Sequence, residues 1–290
     1  MELDEIFVIK KWGFPRRALY RSLQSSLALL VKKMFKFEVI GVENLNKFPE
    51  GQPIIFAANH RSHLDALAFN TAIYPIRKYF ATIAPGKVMQ ENKLFRFTRV
   101  IGAYPLDTED PEPALHYFLK TLENNLAIII FPQGGRLSRT PLQDYKSFSN
   151  KARSGVGRLV LKSKCEIPVI PCYLHGTAET LSRGQILPRF GTYLSVTFGE
   201  PMFFDDFKTD QPLLEDNEFF DIAKVITNEI MLKIQNLLYE TEKGYFSLIE
   251  HLLSEKIDQI TLSETQEKKL RYLTKKLAYH KPYELEKLLI

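Results

Sequence analysis

Three segments of the chain share one pattern, in which a short apolar run is followed at once by polar residues. They read PIIFAANH, LAIIIFPQGGR and IPVIPCYLHGT, and they begin at Pro53, Leu126 and Ile167. Apolar runs of about four to six residues that are rich in isoleucine and valine are typical of buried strands. The pattern therefore predicts three buried strands, each of which leads into a polar loop.

Helical periodicity lies between the first two of these strands, at 64–73 and 113–124. The second helix has Pro113 in its first turn, where proline is tolerated, and leucines recur along one side. Strands that alternate with helices predict an α/β fold with a mostly parallel central sheet flanked by helices. Ligands of such sheets gather at the carboxyl ends of strands, so the three polar loops are predicted to form one pocket.

An amphipathic helix is predicted near the N-terminus, because apolar residues recur there every three or four positions. They are Leu19, Leu23, Leu27, Leu30 and Met34. The longest apolar run, 27–31, is much shorter than the roughly 20 residues of a membrane-spanning helix. Basic residues at both ends favour a helix in the interface of an anionic membrane, with Trp12 and Phe14 at the same depth. A basic helix packed on its own domain is the alternative.

The chain becomes helical again after about residue 205, which suggests three parts: an N-terminal interface helix at 1–36, a core at 37–240 and a C-terminal helical extension at 241–290. Gly244 is predicted to end the first C-terminal helix. Ser263 and Gln266 form a capping-box pattern before a later helix. The extension fits a helical hairpin packed on the core or a surface for a partner or second copy, and the sequence leaves both open.

Charge and cysteine content narrow the class of protein further. The net charge is +5, and segment 10–36 holds eight basic residues and no acidic one. Anionic partners are therefore expected, but we find no nucleic-acid-binding motif and expect no nucleic acid. Two cysteines exclude a disulfide framework. The start MELDEIFVIK lacks a secretory signal pattern, so we expect a reduced, intracellular protein on the cytoplasmic face of a membrane, with no transmembrane span.

The most informative stretch is FAANHRSHLDA at 56–66, which holds two histidines and an aspartate. A metal site is disfavoured because too few ligands are present, so no metal is expected. A catalytic pair of His60 and Asp65 needs them to face each other, yet five residues of continuous helix would separate them by about 140°. They meet only if His60 lies in the turn after the strand and Asp65 in the first helical turn. The alternative is that Asn59 or Ser62 caps the helix and the histidines are incidental.

Four blocks of the sequence, in order, resemble the glycerolipid acyltransferases, typified by 1-acylglycerol-3-phosphate (lysophosphatidic acid) acyltransferase. Residues 59–65 resemble the Asn-His-x-Ser-x-x-Asp block, and GAYPLDT at 102–108 resembles the second block. FPQGGRLS at 131–138 and IPVIPCYL at 167–174 resemble the third and fourth. The resemblance covers about 37–201.

This resemblance implies an O-acyltransferase that moves a fatty acyl group to the free hydroxyl of a lysophospholipid. His60 would be the general base and Asp65 would orient it. The donor would be acyl-coenzyme A or acyl-carrier protein, and no bound cofactor is expected. Arg136 would hold the acceptor's phosphate, and Lys87 and Arg99 are weaker phosphate candidates. The implied substrate-binding residues are Asn59, Ser62, Gly102, Gln133, Gly134, Gly135 and Arg136.

No activated serine or cysteine motif is visible, which favours direct transfer without an acyl-enzyme. Cys172 lies inside an apolar strand and is predicted to be a packed core residue. Three positions depart from the family pattern: Gln133 replaces a glutamate, Gly135 a threonine and Thr108 an arginine. Arg139 is a candidate to replace the lost cation. The acceptor is therefore less certain than the reaction, and a different lysolipid or a non-catalytic lipid-binding protein is the alternative.

Overall fold

The computed structural model describes residues 12–85, 103–106, 109–137, 140–148, 152–163, 166–207 and 217–289. The strands are β1 Lys36–Ile40, β2 Ile55–Ala58, β3 Phe80–Pro85, β4 Ala103–Leu106, β5 Ala127–Ile130, β6 Val169–His175 and β7 Tyr193–Phe198. The helices are α1 Phe14–Met34, α2 Glu43–Asn46, α3 Asp65–Ile73, α4 Glu112–Glu123, α5 Pro141–Ser147, α6 Gly155–Lys162, α7 Thr177–Thr180, α8 Asn217–Leu253 and α9 Glu264–Leu277. Short 3₁₀ helices span Asp205–Phe207 and Pro282–Leu289.

The seven described strands form one sheet in the order β1-β7-β6-β2-β5-β3-β4. Strands β6, β2, β5, β3 and β4 are parallel to one another. Strand β7 runs antiparallel to β6 and parallel to the edge strand β1, so β7 and β1 point the other way. The predicted α/β class with a mostly parallel sheet is confirmed, and the three predicted strands are β2, β5 and β6 at its centre.

Successive residues of the central strands pack into two different apolar cores, one on each face of the sheet. Ile55 and Ala57 of β2 join the core that holds α4, α6 and α8. Phe56 and Ala58 join the core that holds α3. Side chains alternate across a strand, so helices on both faces require strands that are apolar at every position. This explains the uninterrupted apolar runs in the sequence.

Helix α1 packs against α3 through a face that the leucine pattern did not predict. Its buried residues are Tyr20, Gln24, Ala28 and Val31, whereas Leu19 and Leu30 of the predicted stripe are exposed. Tyr20 donates a hydrogen bond to the carbonyl of Phe80, and Gln24 donates to Tyr20. These contacts satisfy polar groups on a buried face that apolar periodicity alone does not reveal. The exposure of Leu19 and Leu30 leaves the predicted interface helix a prediction. Across the described ranges, no helix has the length and apolarity needed to cross a bilayer.

The C-terminal helices pack on the core, and one predicted boundary is wrong. Helix α8 is 37 residues long and passes through Gly244 without interruption. Tyr245, Phe246 and Ile249 on the far side of this glycine are buried, and their packing outweighs the roughly 1 kcal/mol penalty of a helical glycine. Ser263 and Gln266 do form the predicted capping box of α9. The residue 240/241 division therefore falls inside one continuous helix.

Candidate active site

The three polar loops meet at one edge of the sheet, because β5, β2 and β6 are neighbours and parallel. The side chain of Asn59, after β2, donates to the carbonyl of Leu174 and accepts from its N–H, at 3.0 and 2.6 Å. The backbone N–H of His60 donates to Gln133 Oε1 at 3.0 Å, and Leu137 N–H donates to the carbonyl of His60 at 2.8 Å. Direct contacts therefore join the loop after β2 to the loop after β5 and to strand β6.

His60 and Asp65 face each other, with His60 Nδ1 2.7 Å from Asp65 Oδ2. Their backbone arrangement is the one predicted, since His60 lies in the turn after β2 and Asp65 is the first residue of α3. The Asp65 side chain is fully buried, whereas that of His60 is 25% exposed. Because Nδ1 is held by the carboxylate, Nε2 is the ring nitrogen that remains for proton exchange with a ligand.

Two backbone N–H groups also bind the same carboxylate oxygen. Arg61 and Ser62 donate to Asp65 Oδ2 at 2.6 and 2.8 Å. A carboxylate that accepts several N–H bonds is fixed in position. The turn therefore presents an oriented imidazole held by a buried carboxylate.

Phe131 stacks on the His60 ring at a centroid separation of 4.4 Å and an interplanar angle of 23°. It begins the third block of sequence but was not singled out as a site residue. Stacking restrains the imidazole from one face while Asp65 holds its edge. No local pattern indicates this contact, because it depends on how the β2 and β5 loops pack together.

The third-block loop owes its shape to Gln133 and Gly134. Gln133 is buried, and its Nε2 atom has no hydrogen-bond partner among the described residues. Gly134 has φ of +66°, a conformation that favours glycine, and a Cβ atom there would displace the Arg153 side chain, whose Cδ would lie 2.6 Å away. Gly135 has open space around it. Arg153 is a further cation at this edge that the sequence analysis missed.

Asn59 and Ser62 use their polar atoms to hold the loops together. Ser62 Oγ donates to the carbonyl of Leu181 at 2.8 Å and accepts from the N–H of Leu64 at 3.2 Å. Asn59 is committed to Leu174, as described above. These contacts give both residues a positioning role, and direct binding of substrate by either stays a prediction.

Positive charge collects beside the pair. Arg136 is half-buried; desolvation, then the neighbouring Arg183, lowers its pKa. Desolvation and then Arg136 also lower the pKa of the nearby His63. Cations that depress one another's pKa values create a positive potential, and this potential favours an anionic ligand next to His60. Arg183 was not predicted, because it comes from a loop far away in the sequence.

A buried ion network supports the loop from below. Arg61 Nε lies 2.7 Å from Asp144 Oδ2, and its terminal nitrogen lies 2.7 Å from Glu179 Oε1. Burial alone would lower the pKa of Arg61, but Glu179 and Asp144 outweigh it and raise the pKa above the usual value. These three residues join the turn after β2 to α5 and α7. Sequence reasoning missed them, since a charged residue in a polar stretch looks like a surface residue.

A second histidine–carboxylate contact lies deeper in the fold. His175 Nδ1 is 2.5 Å from Glu242 Oε1, and Tyr173 donates to the same oxygen at 3.0 Å. Burial alone raises the pKa of Glu242, but His175 and then Arg61 and Tyr173 bring it below the usual value. This contact ties β6 to α8 and is buried away from solvent, unlike His60.

Other predicted residues have different outcomes. Cys172 is fully buried in β6, and burial raises the pKa of its thiol, which confirms a core residue. No group of three or more potential metal ligands occurs within the described ranges. Five predicted positions lie outside the described residues, namely Lys87, Arg99, Gly102, Thr108 and Arg139.

Comparison with known proteins agrees with this geometry. Residues 38–175 match the family model described as Acyltransferase. This segment contains the His60–Asp65 pair and the third-block loop. The match confirms the predicted resemblance at the level of an acyltransferase domain in this segment.

Among solved structures, the chain is similar to the crystal structure of PlsC, the 1-acyl-sn-glycerophosphate (LPA) acyltransferase of Thermotoga maritima. The two are 17% identical with a TM-score of 0.47, over 75% of this chain and 79% of that chain. No curated protein matches the chain significantly.

The buried network predicts a large loss of stability for Arg61→Met. Removing the cation leaves Asp144 and Glu179 buried without compensation, which costs about 3–5 kcal/mol. Lys47→Met is the matched control, because Lys47 pairs with Glu200 at 3.8 Å on the exposed surface. Such a pair contributes about 0–1 kcal/mol. Urea unfolding of both variants measures the difference, and equal midpoints would show that the network does not stabilise the fold.

Proposed function

We propose that this protein transfers a fatty acyl group from an acyl thioester, acyl-coenzyme A or acyl-carrier protein, to the free hydroxyl of a lysophospholipid. The proposed acceptor is 1-acylglycerol-3-phosphate, which would give phosphatidic acid. The observation that carries the proposal is the 2.7 Å contact between His60 Nδ1 and Asp65 Oδ2 at the edge of an acyltransferase domain. The cations beside this pair suit an acceptor that carries a phosphate.

The geometry supports direct transfer with His60 as general base. Asp65 accepts a hydrogen bond from the Nδ1–H group, so the neutral ring offers the lone pair of Nε2 to the acceptor's hydroxyl. As the hydroxyl proton moves to Nε2, the oxygen attacks the thioester carbonyl carbon and a C–O bond forms. The C–S bond then breaks, and the departing thiolate takes the proton from the imidazolium. The buried Asp65 stabilises the positive ring between these two steps.

Gln133 can replace the family's glutamate without loss of the loop's structure. Its Oε1 atom accepts from the backbone N–H of His60, which needs an acceptor atom but no negative charge. The substitution leaves the Nε2 amide as an additional donor. We assign this donor to an oxygen of the substrate, alongside Arg136.

The catalytic proposal predicts that His60→Ala lowers kcat by roughly 10²–10⁴-fold, the usual contribution of a general base. Asp65→Asn should show a similar loss, because the ring loses its charged partner. Release of free thiol from acyl-coenzyme A, measured with a panel of lysolipids, reports both variants.

Cys172→Ala is the control and should retain activity, since this buried thiol has no role in direct transfer. If none of the lysolipids receives an acyl group in a His60-dependent manner, the result would instead favour a non-catalytic lipid-binding protein of the same fold.

An apolar cavity beside the pair is the proposed site of the acyl chain. It measures about 110 Å³ and is bounded by Phe131, whose ring stacks on His60. Leu115, Phe118 and Val156 supply much of its apolar wall. Apolar walls next to a few polar groups are typical of sites for lipid-like ligands.

Gly155→Leu tests this assignment, because Gly155 lines the cavity and an added Cβ would meet only the Ile130 side chain, at 3.9 Å. The larger side chain should fill the cavity and shift the preference toward shorter acyl donors. Competition between donors of different length measures the shift. Gly51→Leu, at an open position away from the cavity, should leave the preference unchanged. An unaltered preference in Gly155→Leu would place the chain elsewhere.

We also propose that the protein binds the surface of an anionic membrane, at the cytoplasmic face. Helix α1 exposes Phe14 and Leu29, at 77% and 70%, and carries basic residues in its last turn. The loop before β7 exposes Ile186 and Leu187, at 93% and 73%. Phe190 of this loop stacks on Phe35 at the end of α1. Exposed apolar side chains flanked by cations fit an interface rich in anionic lipids.

Sedimentation with anionic vesicles tests this surface. Leu29→Gln with Leu30→Gln should reduce the bound fraction several-fold, because less apolar area reaches the acyl region. Raised salt should reduce it further by screening the basic residues. Leu252→Gln replaces a leucine that is equally open, at 59%, but lies on α8, and it should not change binding. Equal loss in both variants would argue against a specific face.

A further inference from the structure

A second cavity, of about 210 Å³, lies between the loop after α7 and helix α9 of the C-terminal extension. Arg183 contributes one wall, and Arg271 and Lys275 contribute the other. The extension has no assigned role in acyl transfer. It nevertheless supplies two cations to a cavity whose opposite wall is formed by residues 178–183.

The three cations have no hydrogen bond or ion pair among the described residues. Arg271 and Lys275 are four residues apart on α9, so they share one side of the helix, where like charges are destabilising. On the same helix, Lys268 is paired with Glu264 at 2.7 Å. No such ion pair is formed by Arg271 or Lys275 among the described residues.

The remaining polar groups of the cavity are committed to the protein. Both carboxylate oxygens of Glu179 accept from Arg61. Ser182 Oγ donates to the carbonyl of Ala178, and Thr274 Oγ1 is bonded to Tyr245. The three cations are therefore the groups that are free to recognise a ligand, and two guanidinium groups with an ammonium group suit phosphate oxygens.

Electrostatic interactions connect a cation of the cavity with the cation beside the active site. Arg183 acts electrostatically on Arg136, which in turn acts on His63 next to the His60–Asp65 pair. The loop that carries Arg183 is also joined to the active-site turn, because Ser62 Oγ donates to the carbonyl of Leu181. A phosphate held by Arg183 would therefore be connected to the active-site turn through this loop and through Arg136.

We propose that Arg183, Arg271 and Lys275 form a binding site for a phosphate ester of one of the two substrates. This inference rests on the proposed function, and it gives the C-terminal extension a part in substrate binding. The same chemistry is offered by the phosphate of the lysolipid headgroup and by the phosphates of coenzyme A. The exposed apolar tip at Ile186, three residues from Arg183, favours the lipid headgroup, because it would bring the cavity to the membrane surface.

Equilibrium binding to the full-length protein tests the site without turnover. Coenzyme A, glycerol 3-phosphate and inorganic phosphate are titrated separately by calorimetry into the wild type and into Lys275→Glu. We expect about tenfold weaker binding of one of the two esters in the variant, as for loss of one charge-assisted contact. Weaker glycerol 3-phosphate binding assigns the lipid headgroup, and weaker coenzyme A binding assigns the donor.

Lys269→Glu is the matched control, because it reverses an exposed lysine on the same helix that does not line the cavity. It should change no affinity by more than about twofold, and both variants should unfold at the wild-type temperature. Arg183→Gln should weaken the same ester from the opposite wall.

Three results would overturn the proposal: unchanged affinities in Lys275→Glu, equal losses in Lys269→Glu, or a response of inorganic phosphate alone. The outcome is separable from the test of catalysis. If transfer depends on His60 but ester binding ignores Lys275, only this site fails. If ester binding needs Lys275 but no acyl transfer occurs, only the enzymatic proposal fails.

Discussion

The Oδ2 atom of Asp65 accepts hydrogen bonds from His60 Nδ1 and from the backbone N–H groups of Arg61 and Ser62, all within 2.6–2.8 Å. One buried oxygen therefore fixes both the shape of the turn after β2 and the direction of the histidine ring. Since burying a carboxylate without partners is costly, the turn and the carboxylate stabilise each other. The proposed chemistry depends on this arrangement, because an imidazole that is free to rotate cannot present one nitrogen to a substrate.

The same turn sends its neighbouring side chains in opposite directions. Arg61 points inward to Asp144 and Glu179, whereas His60 remains partly open to solvent. Ion pairs that are fully desolvated contribute less net stability than their contacts suggest, but they penalise any other arrangement strongly. The network therefore acts mainly to hold α5 and α7 in one position relative to the turn. Glu179 and the loop that follows it then carry Arg183 toward Arg136.

Positive charge is held in two different ways in the described part of the chain. Arg61 is neutralised within the protein. Arg183 acts electrostatically on Arg136 beside the active site, and it lines the second cavity together with Arg271 and Lys275. The exposed leucines of α1 and the apolar loop before β7 add an apolar surface to the same molecule. A substrate with a phosphate and a long acyl chain matches both features, which is why a lysophospholipid is the acceptor that we favour.

Features that depend on local pattern could be predicted from the amino-acid sequence. The apolar runs at β2, β5 and β6 predicted central strands, because strands covered on both faces must be apolar throughout. Neighbouring parallel strands end at the same edge of a sheet. The loops that carry His60 and Gln133 could therefore be predicted to lie together. The capping box at Ser263 could also be predicted, since it involves residues only three apart.

Features that depend on packing between distant segments emerge only in the folded structure. The buried face of α1 includes the polar side chain of Gln24, which can be buried because it donates a hydrogen bond to Tyr20. Helix α8 continues through Gly244 because contacts with the core outweigh local preference. Phe131 and Arg183 reach the site from segments far apart in the chain, and Arg61 is buried by partners more than 80 residues away. Such contacts leave no periodic signal, because they arise from the way whole elements fit together.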